Sequence, residues 1–431
     1  MAPPLPFASL SVQLRAFNRS ARLFLLATIF SGVVWSAWYL FFNFYILERG
    51  FGRDFLGLLN ALPSVAALLF GIPIGALSDR LGRKRSLLLG VSVAVLGMGL
   101  EVTLLDPTLL LVAAFVGGLG NMLFYISQAP FIMKVAQGET RTLLFSLNFG
   151  LSTLAGAVGN LFAGQLPALF GDLLHVPTRS ATSYQAVLLM SVALSLMTLI
   201  PLVLLREPAA APTAAAAPPA KSTRWQVVRH PLTMRLALPN MLIGLGAAIL
   251  IPYMNVFFHD RFDLPDATLG VLFSLLALFT GLGSLLAPRL VRWLGGKIPA
   301  VVFTQSLSLV FLLLLGFSPR LWLVSLSFLL RGTLMNMAAP LYHAFALEQI
   351  RESEQGIVNS VLELAWNIGW AVGPYVSGVV QQSAGFTPLF ITTAVLYALA
   401  NLFIWQFFHK REAASIQEAE ASGAFTDVPG N

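Results

Sequence analysis

Apolar residues run along this chain in long, nearly unbroken stretches rather than in the alternating or one-sided patterns of a half-buried surface. The stretches fall at about 22–47, 55–78, 86–105, 108–133, 143–168 and 184–205, then at about 236–258, 267–287, 298–317, 320–345, 356–381 and 387–408. A helix crossing a bilayer needs about 20 mostly apolar residues, and each stretch has the length for it. The pattern is six spans, a polar break, and six more, which predicts an all-α integral membrane protein with twelve transmembrane helices. The corresponding divisions are an N-terminal arm at 1–21, a first six-helix bundle at 22–206, a linker at 207–235, a second bundle at 236–408 and a tail at 409–431.

The two sixes repeat. Ser146, Ala157, Val158, Gly159, Gly164 and Gly171 match Ser360, Ala371, Val372, Gly373, Gly378 and Gly385 at a constant offset, in spans 5 and 11. Small residues at such spacings favour close helix packing in lipid, so part of the match is open to convergence. The shared register in corresponding spans suggests duplication and two pseudo-symmetric bundles.

Composition agrees with this pattern. The chain has 431 residues, 57% hydrophobic and 10% charged, with mean hydropathy +0.79, against about 25% charged in soluble domains. The net charge of +7 carries its meaning in its placement and does not point to nucleic acid. With the N-terminus in the cytoplasm, twenty of the 26 Lys and Arg fall in cytoplasmic segments. Five fall outside (Arg49, Arg53, Arg179, Arg261 and Arg320), and Arg331 lies within a span. That asymmetry predicts a multi-pass protein of the cell membrane with both termini cytoplasmic. The first apolar run is too long for a signal-peptide core and lacks a cleavage site, so it reads as a retained span.

The linker is rich in Ala and Pro and then basic. Its first half reads as a flexible tether. Its second half reads as a short interfacial helix, with Trp225 and Val228 toward lipid and Arg224 and Arg229 toward head groups. The tail is polar and reads as disordered. There is no cysteine, and five histidines are scattered without ligand spacing, so neither a disulfide nor a metal site is expected. No catalytic cluster, nucleotide-binding loop or cofactor motif is present, which predicts neither an enzyme nor an ATP-driven pump.

Between spans 2 and 3 stands Gly75-Ala76-Leu77-Ser78-Asp79-Arg80-Leu81-Gly82-Arg83-Lys84-Arg85. Gly75 would let span 2 approach a neighbour closely. Asp79 suits a helix N-terminus or an arginine, Gly82 permits a tight turn, and the basic residues suit anionic head groups. This loop resembles the signature of the major facilitator superfamily, G-x-L-[AS]-D-R-x-G-R-[KR], at every defining position, and the resemblance extends over about residues 20–408. It implies a conformational latch of Gly75, Asp79, Arg80, Gly82 and Arg83 against the start of span 11 near Ser353 to Gly356. The second-half loop, Pro288 to Lys297, places Arg292 where Asp79 stands and so lacks the acid. A second family pattern, G-x-x-x-G-P-x-x-G-G of drug/proton antiporters, is met without its proline at Ala155 to Gly164. It is met more closely at Gly369 to Gly378.

Ionisable groups are costly inside a membrane and usually face a cavity or a partner. Glu101, Arg331 and Glu363 lie within spans, and Glu101 is near enough to a span end to reach interfacial water. Arg331 and Glu363 fall within side-chain reach of each other on spans 10 and 11. They read either as a structural ion pair or as a coupling site, with Glu363 protonatable and Arg331 its partner or an anchor for an anion. The resemblance implies that spans 1, 4, 7 and 10 line a central cavity. That wall would hold Trp35, Trp38, Tyr39 and Asn43, then Asn121, Tyr125 and Gln128, then Asn240, Tyr253 and Asn255, and Asn336 beside Arg331. Trp366 and Asn367, with Trp370, would add a second aromatic wall, while packing between helices or facing lipid is the other reading for each aromatic.

The chain is thus expected to be a monomeric secondary active transporter working by alternating access. Its expected partners are the bilayer, a small-molecule substrate and protons. Export of an amphipathic drug or metabolite is the leading reading. An organic-anion or nutrient carrier using Arg331 is the second, and a non-transporting receptor or lipid-processing protein on the same fold is the third.

Overall fold

A computed structural model of the chain describes residues 17–136, 139–206, 221–351 and 354–421, and among them there is no strand. The linker tether at 207–220, most of the N-terminal arm, Ser353 and the last ten residues lie outside the described residues. The helices are α1 (Arg19–Glu48), α2 (Arg53–Leu81), α3 (Arg83–Thr103), α4 (Pro107–Val135), α5 (Glu139–Ala163), α6 (Leu166–Leu174) and α7 (Ala181–Val203). They continue as α8 (Lys221–Arg229), α9 (Pro231–Leu250), α10 (Met254–Phe262), α11 (Asp266–Leu294), α12 (Lys297–Phe317), α13 (Leu321–Glu348), α14 (Gln355–Ala384) and α15 (Thr387–Ala421).

Eleven helical segments among the described residues are long and apolar enough to cross a membrane. The twelfth span is α14, whose 30 residues rise about 45 Å at 1.5 Å each. Its hydropathy is diluted by Asn359, Glu363, Asn367, Gln381 and Gln382. Side-chain caps start several helices. Asn18 accepts from the Ala21 amide, Asp106 from Leu109 ahead of Pro107, and Ser180 from Ser183, each satisfying an orphan N–H of a first turn.

Two spans are broken. Span 5 is interrupted between α5 and α6 at Gly164–Gln165, just before Pro167. Span 7 passes through a 3-10 turn at Ile251–Tyr253, because Pro252 has no N–H to continue the helical ladder. The short helix expected after the tether is α8, where Val227 rather than Val228 is the buried residue. Trp225 is exposed, with the Arg229 guanidinium 5.7 Å from its ring.

Span 12 does not end near residue 408, as its apolar run suggested. α15 continues to Ala421, because residues 410–421 are mostly Lys, Arg, Glu, Gln and Ala, all strong helix formers.

The helices sort into two compact units. One holds α1–α7 together with Pro252–Leu278, and the other holds α8, α9 to Ile251, and Phe279 through α15. The same pairings recur in each. α1 packs on α5 and α7 as α9 packs on α14 and α15, and α3 packs on α4 and α7 as α12 packs on α13 and α15. Equivalent glycines make equivalent contacts. A Cβ on Gly159 would lie 3.0 Å from Val33 Cα on α1, and one on Gly373 would lie 2.7 Å from Ala248 Cβ on α9.

Candidate functional site

In the first unit, the loop joining α2 to α3 is a closed hydrogen-bonded unit. Gly82 turns the chain at φ 82°, a conformation that favours glycine. Arg83 Nη2 donates to Asp79 Oδ1 at 2.6 Å and Arg83 Nη1 to Ser78 Oγ at 3.0 Å. Ser78 Oγ lies 2.8 Å from Ser127 Oγ on α4, which fixes the loop to the bundle, while Arg80 is exposed. The close approach expected at Gly75 is absent, since a Cβ there would meet nothing within 4 Å. α2 makes its close approach through Pro63, against Gly118.

The residues expected on a cavity wall divide into three groups. Tyr39 and Tyr125 are 65% and 55% exposed, and Asn336 is exposed while donating to the Gly332 carbonyl. Trp35, Asn121, Gln128, Trp366 and Asn367 are half-buried. Trp35 and Asn121 come together, lining one cavity within the first unit. Trp38, Asn43, Asn240, Tyr253 and Asn255 are buried.

The buried group serves helix packing in place of the wall position its spans suggested. Trp38 stacks on Phe42 at 4.8 Å. Asn43 Nδ2 donates to the Pro252 carbonyl at 2.5 Å and to Asn255 Oδ1 at 3.0 Å, while Asn255 Nδ2 donates to the Leu40 carbonyl at 2.9 Å. Asn60 Nδ2 donates to Asn43 Oδ1 at 3.2 Å. Asn43 therefore serves the broken turn at Pro252, whose backbone groups need partners once the ladder is interrupted, and Asn255 ties α10 to α1. In the second unit, Asn240 Nδ2 donates to the Leu362 carbonyl, joining α9 to α14.

The same region of the first unit carries ion pairs that the sequence did not reveal. Arg53 donates to Asp260 at 2.6 Å. Arg179 pairs with Asp263 and donates to the Leu264 carbonyl at 3.0 Å. Tyr184 donates to Asp266 Oδ2 at 3.2 Å. The Arg179 hydrogen bond and charge hold the Asp263 carboxyl below its ordinary range.

The Arg331–Glu363 ion pair expected in the second unit is not formed. Arg331 is 3% exposed, and its Nη2 donates to Tyr397 Oη on α15 at 2.7 Å, while its Nε has no partner. Glu363 is exposed on α14 and makes no side-chain hydrogen bond or ion pair among the described residues. The faces explain this. α14 turns Leu362 and Trp366 toward α9, leaving Glu363 outside that contact, whereas Arg331 points toward α15.

An acid also appears where the second loop lacked one. Glu412, in the stretch expected to be disordered tail, is buried and accepts from the Lys297 amide at 2.7 Å and the Ile298 amide at 2.8 Å. Lys297 Nζ pairs with Glu348 on α13.

Twelve apolar helices, a duplicated pairing scheme and a hydrogen-bonded Asp79–Arg83 loop define a multi-pass membrane transporter rather than a soluble protein. The family model described as Major Facilitator Superfamily matches residues 23–358 and, again, 236–428, and the chain belongs to that superfamily. It is similar to the uncharacterized MFS-type transporter YhhS of Escherichia coli O6:H1, with 23% identity over 384 residues, covering 86% of this chain and 88% of the relative. It is also similar to the class H tetracycline resistance protein of Pasteurella multocida, with 24% identity over 408 residues, covering 92% and 97%. Among solved structures, a bacterial homolog of the human lysosomal transporter Spinster superposes with a TM-score of 0.73 at 16% identity, covering 91% of this chain and 96% of that one.

Proposed function

We propose that this transporter exports an amphipathic organic solute in exchange for protons, by alternating access, with Glu363 as the group that binds and releases the proton. The observation carrying the reading is the Glu363 carboxyl, which is exposed on a membrane-spanning helix and bound by no cation among the described residues. A carboxylate in that position is costly while ionised, so neutralisation by a proton is the inexpensive way to keep it there. Exposed Tyr39 and Tyr125 of the first unit suit an amphipathic guest. The full-length similarity to a tetracycline resistance protein favours export.

The reading places the protein in the cell membrane as a monomer, with both termini cytoplasmic and the Asp79–Arg83 loop as the cytoplasmic latch. It is tested in everted membrane vesicles. An imposed inward-acid gradient should drive accumulation of an amphipathic solute such as tetracycline, and a protonophore should abolish it. Accumulation that survives the protonophore contradicts proton exchange.

A second reading rests on Arg331. Its buried guanidinium has an unused Nε and no carboxylate partner among the described residues, which suits an anionic cargo. Arg331→Lys should then lower anion transport selectively while leaving neutral solutes unaffected.

A further inference from the structure

α1, α3, α4 and α7 of the first unit line a partly open cavity of about 30 Å3. That volume suits one or two water molecules. Its wall includes Ser31 and Trp35 from α1, Met98 from α3, Asn121 from α4, and Ser195 and Thr198 from α7. Ser195 and Thr198 are 5% and 3% exposed. Among the described residues, neither hydroxyl nor the Asn121 amide has a hydrogen-bond partner. In a void of this size and polarity, water is the partner available.

Glu101 does not line this cavity but stands one turn beyond its wall. It stands three residues along α3 from Met98, on the same helix face, a rise of about 4.5 Å. Across from it, the Glu101 carboxyl lies 3.6 Å from where a Cβ on Gly117 would be, and Gly117 is one turn along α4 from Asn121. Gly97 and Gly117 bring α3 and α4 into backbone contact beside the carboxyl. The carboxyl is buried rather than in interfacial water.

No charged group offsets it. α4 carries its only charge, Lys134, in its last turn, and its Tyr125 lies two turns beyond Gly117. α7 has only Tyr184 among titratable residues, and that hydroxyl is given to Asp266. α2 keeps Arg53, Asp54, Asp79 and Arg80 at its two ends. From α1, Tyr45 donates to the Val102 carbonyl next door and Arg49 donates to Tyr45 Oη. Glu101 has no ion pair among the described residues.

We propose that Glu101 and the hydroxyl-lined cavity form a proton-binding site inside the first unit, with cavity water carrying the proton. A hydronium in the cavity transfers H+ to the Glu101 carboxylate and remains as water, and the reverse transfer returns it. The site is independent of Glu363 and of the cargo, so it stands or falls separately from the proton-exchange reading.

Infrared spectroscopy of the protein in lipid, recorded across pH, tests this directly. Native protein should show the carbonyl stretch of a protonated carboxylic acid. The band should move on exchange into D2O, disappear as pH rises, and persist in Glu363→Gln. It should be lost in Glu101→Gln, a neutral isostere suited to a buried protonated acid, and displaced in Glu101→Asp. Thr198→Val, which removes a cavity hydroxyl, should slow the D2O shift. The proposal is overturned if no such band appears at any pH, if it survives Glu101→Gln, or if D2O never shifts it.

Discussion

Glu412 and Lys297 stand 115 residues apart in the chain, and the Glu412 carboxylate accepts the Lys297 backbone amide at 2.7 Å. With Ile298 as the second donor, one carboxylate caps the first turn of α12. It does so beside the loop where the first-half sequence has Asp79 and the second half has Arg292. The second unit thus draws its acid from the end of span 12 instead of from the loop itself. Glu412→Ala should lower stability by about 0.5–2 kcal/mol, the usual cost of losing a helix cap, read as a fall in unfolding temperature in detergent. A chain ending at His409 should show at least the same fall, and unchanged melting in both would refute the cap.

Asp263 and Arg179 give a pH dependence with a defined sign. Arg179 depresses the folded-state pKa of Asp263, so the stabilisation is present above the ordinary carboxylate range, about 3.9, and is lost as pH falls through the lowered value. The pair is exposed and weak at high salt. As pH falls below about 4, the unfolding temperature of the native protein should drop more than that of Arg179→Gln, and equal drops would show that the pair gives no pH dependence.

Tyr397 is the partner that makes buried Arg331 tolerable. Tyr397→Phe deletes the hydroxyl and leaves the guanidinium less satisfied, at a cost of about 1–3 kcal/mol. Thermal unfolding of the variant checks this. Arg331→Met should be milder than Tyr397→Phe, because it leaves only a neutral hydroxyl unpaired, whereas Tyr397→Phe leaves a buried guanidinium without its partner. If Arg331→Met is the more damaging to stability, the charge has a structural role that the Tyr397 contact does not explain.

Asn43 and Asn255 should behave as one unit. Their amides bond each other, the Pro252 carbonyl and the Leu40 carbonyl of α1, and contacting residues show non-additive effects. In a double-mutant cycle, Asn43→Ala and Asn255→Ala should show a coupling of about 0.5–3 kcal/mol. Additive losses would mean that the two amides act separately.

The spans were legible because lipid demands long apolar runs, and the Gly159/Gly373 match made the duplication readable without coordinates. The Asp79–Arg83 loop was legible because its spacing is local. What sequence could not supply was which face of each helix turns inward. Asn43 and Asn255 looked like wall residues, but small polar groups in spans also repair a broken backbone, and only the packing of α1 on α10 distinguishes the two. Arg331 and Glu363 are close along adjacent spans, yet their faces diverge, and Tyr397 lies 66 residues from Arg331. Glu412 was hidden for a different reason: it belongs to a polar segment whose helix outlasts its apolar run.

Glu363 is the residue we propose to couple solute movement to protons. The most direct test loads proteoliposomes with a pH-sensitive dye and adds amphipathic and anionic compounds to native protein and to Glu363→Gln. Amphipathic compounds should evoke proton movement in the native protein and none in the variant. Compounds crossing without proton movement, or a variant that behaves like the native protein, would contradict it.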